Sequence, residues 1–159
     1  MQRISLLFFF LFSLSLSGFA QETTAKELVQ GFYRDFQASQ DNRKFIPSQK
    51  SRLSSELYRL LCDIADNDPS TDEVWLDFDP FTNSQMNAAT LTVGKPQPKG
   101  QLLYLPVAMS LRIPGQEKVR VFVVVGDENG NPRILNFVYP AAEGMPSWDL
   151  KKWLQTQLN

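Results

Sequence analysis

Two aspartates one residue apart, Asp77 and Asp79, stand in "VWLDFDPFTNSQ" (residues 74–85), among Trp75, Phe78 and Phe81. Carboxylates at that spacing can form a dyad whose pKa values separate, one working as acid and the other as base. Trp75, Phe81, Gln85 and Tyr104 complete a candidate ligand-binding set with the two acids, Tyr104 as hydrogen-bond donor. The same stretch also reads as architecture. Asp79-Pro80 has the form of a helix start, with Asp as N-cap and Pro at the first helical position. A short helix over about Pro80 to Met86 is then expected, with Asp77 on the solvent side of an extended piece. None of the six is assigned a catalytic role.

Composition narrows the chemistry. The chain has no histidine, so Ser-His and Cys-His nucleophile pairs, an imidazole base and His-built zinc sites are all excluded. Its one cysteine, Cys62, forbids an internal disulfide and reads as a packed helix residue. Calcium loops fail by template. From Asp77 the fifth and sixth positions are Phe81 and Thr82, where an oxygen ligand and Gly are needed. From Asp127 the sixth and twelfth are Pro132 and Val138, where Gly and Glu are needed. No metal and no cofactor are expected. The formal charge of −1, with no basic run, offers no track for nucleic acid.

The elements that must position these residues begin after a leader. One arginine, the apolar run "ISLLFFFLFSLSL", and small residues at Gly18 and Ala20 read as a signal peptide over 1–20, cleaved after Ala20. The run is shorter than the roughly 20 residues a spanning helix needs, so no membrane anchor is expected after cleavage. Residues 21–159 make one domain, periplasmic or secreted. Loss of Arg3 and no acid takes its charge from −1 to −2.

In that domain Thr24 and Glu27 form a capping box for a first helix with Leu28, Val29, Phe32, Tyr33 and Phe36 on one stripe. Gly31 within it suggests close packing, and "SQDNRK" reads as a loop. A second helix carries Leu53, Leu57, Leu60, Leu61 and Ile64, with Ser51, Ser54 or Ser55 as cap. From residue 88 the apolar period becomes two. Strands are expected in "AATLTVG", "LLYLPVAMSLRIP", "KVRVFVVVG" and "PRILNFVYP", with Val119, Val121, Val123 and Val125 on one face. "GDENGNP" reads as a hairpin turn. Ser147 is the expected cap of a last helix with Asp149 in its first turn and Trp148 and Trp153 along it. Helices on an antiparallel sheet of about four strands, closed by a C-terminal helix, make an α+β domain.

The segment "DFDPFTNSQ", after a helix carrying "GFYRDF" and before strands ending "ILNFVYP", resembles domain-of-unknown-function family 3828, small exported bacterial proteins. Met86 departs from the acid that often comes after Gln85 in that pattern. The resemblance implies a nuclear-transport-factor-like, cystatin-like cone, in which a curved sheet wraps a helix and leaves a pocket. It also implies dimerisation through the sheet as one use of the fold. It assigns no activity. The expected function is an exported, non-catalytic binding module for a protein partner in the cell envelope. The alternative is a small-molecule pocket protein or cone-type enzyme using carboxylate acid–base chemistry.

Overall fold

The computed structural model describes residues 3–39, 42–66, 79–84, 90–110, 117–142, 144 and 146–158. Helix α1 (Arg3–Ala38) is followed by α2 (Asn42–Ser48) and α3 (Ser55–Asp66). Strands β1 (Thr90–Val93), β2 (Gln97–Lys99), β3 (Leu102–Ser110), β4 (Lys118–Glu128), β5 (Asn131–Tyr139) and β6 (Trp148–Asp149) lead into α4 (Leu150–Gln157). Among the described residues all strand pairs are antiparallel, in the order β1-β3-β4-β5-β6, with β2 also paired to β3.

The α+β class stands, but among the described residues the sheet has six strands where about four are expected. The two extra ones are short. β2 forms inside "KPQPKG" and places Pro98 at a sheet edge, where proline is tolerated. β6 extends the far edge through Tyr139↔Trp148.

Buried side chains of all four helices enter one cluster with Leu103, Leu105, Val107 and Met109 of β3. The helices therefore share one face of the sheet. α1 contributes Ala25, Val29, Phe32 and Tyr33, as its stripe predicts, but it runs straight through Thr24, so no capping box begins it there. α2 corrects the loop read in "SQDNRK" at Asn42, Arg43 and Lys44, which are helical, while Gln40 and Asp41 lie outside the described residues. Phe45 and Ile46 are buried, and such burial is worth about 1.5–3 kcal/mol per side chain, enough to hold a helix too short to persist alone.

α3 starts later than its apolar pattern suggests. Leu53 is buried outside the helix, in a parallel bridge to Ile134. Ser54 is the cap, its hydroxyl accepting from Leu57 N–H at 3.3 Å. α4 also departs from expectation. Asp149, not Ser147, is its N-cap, accepting from Lys152 N–H at 2.8 Å. Trp148 therefore lies before the helix, stacked on Tyr139 with ring centroids 3.9 Å apart.

The β4–β5 hairpin keeps closely to its sequence. Asn129 and Gly130 both have positive φ, 57° and 79°, the geometry a two-residue turn of right-handed twist requires. The register slips once between β3 and β4, where Val107 faces Val121 but Ala108 faces Val119. That bulge turns Val119 off the core face expected for it, leaving it 41% exposed.

Candidate functional site

Residues 79–84 form a closed turn and not the expected short helix. Asp79 Oδ1 accepts from Phe81 N–H at 2.7 Å and from Thr82 N–H at 3.1 Å, so its capping role is real. Its backbone carbonyl accepts from Asn83 N–H at 2.8 Å, and its own N–H donates to Ser84 O at 2.8 Å. The chain reverses at Asn83, whose φ of 50° is tolerated by Asn better than by most residues. In a helix, the carbonyls of Pro80 and Phe81 would accept from the next turn. Here tyrosines take them: Tyr139 Oη donates to Pro80 O at 2.5 Å and Tyr33 Oη to Phe81 O at 2.7 Å.

The ring of Phe81 completes an aromatic cluster. It has no exposure and meets Phe32, Phe36, Phe45 and Phe137 at centroid distances of 5.1, 5.7, 5.5 and 5.3 Å. Offset and edge contacts at these distances suit the ring quadrupoles. Burial pushes the Tyr33 phenol well above its ordinary value, and the Asp79 charge adds to it. Burial likewise raises Tyr139, with smaller contributions from Tyr33, Asp79 and Asp149. Both phenols are neutral donors that hold the turn.

The other candidates do not join this turn. Tyr104 alternates with the core-facing Leu103 and Leu105, so it lies on the opposite face of the sheet. There Lys99 Nζ stands 4.2 Å from its ring centroid, a cation–π contact. Trp75, Asp77 and Gln85 lie outside the described residues. Phe81 and Asp79 are thus brought together by the fold, and Tyr104 is kept apart from them.

The hairpin acids also have partners. Asp127 Oδ1 accepts from Gly130 N–H at 2.9 Å. The Glu128 carboxylate accepts from Ser55 N–H at 3.0 Å and from its hydroxyl at 3.2 Å, at the start of α3. Cys62 is half-buried, and its hydrogen bond with Tyr58 is the main cause raising that phenol. Among the described residues no group of three His, Cys, Asp or Glu could hold a metal.

Two features remain that the sequence does not single out. The first is a cleft of about 260 Å³ between α1 and the β4–β5 hairpin. Gln21, Thr24 and Asp127 supply its polar groups above Ala25, Leu103 and Val125. Asp127 and Gln21 were legible only as a turn residue and a chain start. Their meeting depends on where α1 crosses the sheet.

The second is the sheet face away from the helices. Register aligns Pro106 with Phe122 and Phe122 with Val138, while Ala108 and Val124 flank them on β3 and β4. Gly126 continues the row, with Leu135 and Leu102 methyls crowding the space a Cβ would fill. The alternation of β4 hints at this face, but only the register shows that neighbours on three strands are apolar together.

Compared with family models, curated proteins and solved structures, the chain finds no match in any of the three.

Proposed function

We propose that the chain is an exported, non-catalytic binding module of cone-type, cystatin-like architecture, in keeping with its resemblance to domain-of-unknown-function family 3828. Its contact surface is the outer sheet face and its partner a protein of the periplasm or cell surface. The observation that carries this reading is the half-buried apolar row of Pro106, Phe122 and Val138, with half-buried Ala108 and exposed Val119 beside it. Contiguous apolar surface rimmed by polar residues marks interaction sites more often than chance exposure does. A catalytic reading is less well supported, since Asp79 is engaged in its turn and Tyr104 stands across the sheet.

The test is a quantitative pull-down from native envelope extract with residues 21–159 as bait, beside a Phe122→Lys bait shown by its urea midpoint to be folded. A partner held by the first and lost by the second supports the face. A partner held equally by both removes this face from the reading, and no partner for either bait sinks it. Size-exclusion chromatography of the same two baits distinguishes a second copy of the chain from a foreign protein.

The cleft beside α1 favours one second reading, a small-molecule pocket protein whose carboxylate is Asp127. A ligand at a hundred times its Kd raises stability by about 2.7 kcal/mol, so a thermal-shift screen would reveal one. The gain should shrink in Asp127→Asn.

A further inference from the structure

Gln21 is exposed, and one turn on Ala25 has no exposure, so α1 is pinned to the sheet just past the expected cleavage point. While the leader is attached, the Gln21 nitrogen is a peptide nitrogen within α1 and carries no free amine. Cleavage after Ala20 changes its chemistry. It would create an α-amine on a glutamine, at the first position of a helix whose N-terminus already carries positive partial charge. A protonated amine there opposes the dipole, whereas a neutral end does not.

We propose that Gln21 of the exported chain is a modification site that closes to a pyroglutamyl residue. This rests on the export reading above. The unprotonated α-amine attacks Gln21 Cδ, a new N–Cδ bond forms, the Cδ–Nε2 bond breaks, and the amide nitrogen leaves as ammonia with the displaced proton. No oxidant or other reactant is consumed. The resulting five-membered lactam has the ring framework of proline, which helices accept at their first position because the first N–H groups lack helical partners. The ring sits at the rim of the cleft that Gln21 shares with Thr24 and Asp127. It removes the terminal charge from that rim and closes the chain to aminopeptidases.

The full chain, Met1–Asn159, is expressed in a host that exports it, and its N-terminal peptide is read by tandem mass spectrometry after digestion at neutral pH. A synthetic QETTAK peptide carried through the same steps sets the baseline for cyclisation during handling. The expected wild-type peptide begins at residue 21, lacks one ammonia, and resists Edman degradation until pyroglutamyl aminopeptidase is added. Gln21→Asn should begin at the same position with a free amine, because its shorter side chain cannot close that ring. A wild-type chain that begins at Gln21 with cyclisation no higher than the baseline overturns the proposal and leaves export standing. A chain recovered with Met1 overturns both, and one that begins at any other residue overturns the proposal and leaves export standing.

Discussion

The two buried tyrosines that hold the 79–84 turn predict a steep loss of stability in alkali. Tyr33 and Tyr139 both have folded-state pKa values raised well above 10.0, first by burial. In the unfolded chain they release their protons near the ordinary value of about 10, while the folded chain retains them. Their contribution is therefore complete below pH 10 and is lost as pH rises from there toward the folded values. Each retained proton lowers stability by about 1.4 kcal/mol per pH unit, so the pair contributes a slope of about 2.7 kcal/mol per unit. Urea midpoints between neutral pH and about pH 11 measure this slope. Tyr33→Phe should halve it, at a cost near neutrality of about 1–3 kcal/mol for leaving Phe81 O without its donor. Tyr139→Phe should do the same through Pro80 O. An alkaline slope unchanged in the double variant would refute this account of the turn.

Four further outcomes are expected from urea unfolding. Phe81→Ala should cost about 3–5 kcal/mol, because the ring is fully buried among four others and its neighbours cannot close the gap. A loss under about 1 kcal/mol would place Phe81 outside the core. Asp79→Ala should cost about 1–2 kcal/mol through its two lost N–H acceptor contacts, and Asp79→Asn, which keeps one oxygen, clearly less. Equal losses would show that charge and not capping is what matters there. Thr82 Oγ1 is buried and has no hydrogen-bond partner among the described residues, so the near-isosteric Thr82→Val should raise stability by about 1 kcal/mol. A lower midpoint would mean that the hydroxyl has a use. Gly31→Ala should stabilise α1 by about 0.4–1 kcal/mol, since the nearest atoms a Cβ there would meet are the Arg52 guanidinium at 3.4 Å and the Arg34 guanidinium at 3.7 Å. Destabilisation would mean that Arg52, held by Asp35 at 2.7 Å, cannot shift.

Local pattern was enough for much of the framework. The stripe from Val29 to Tyr33 marks a helix face because a period of 3.6 has one solution against a flat core. The alternation of β3 and the Asn129-Gly130 turn specify strands and a hairpin for the same reason: their signals are complete within a few residues. Asp79 was legible as a cap because the side chain and the N–H groups it binds are near neighbours. The path of the chain after Asp79 was decided by tertiary structure. Pro80 O and Phe81 O are taken by phenols from β5 and α1, 59 and 48 residues away, and that competition turns a helix start into a closed turn. α2 exists because Phe45 and Ile46 find a core that their own sequence does not announce. Val119 leaves the core face through a bulge that exists only in the pairing of β3 with β4. Tyr104 is parted from Asp79, and Gln21 joined to Asp127, by the sheet's faces and the path of α1 across them. Sequence alone determined the elements whose stabilising contacts are local. Pairings across long loops were decided by the fold, because their free energy is realised only when distant segments bury surface together.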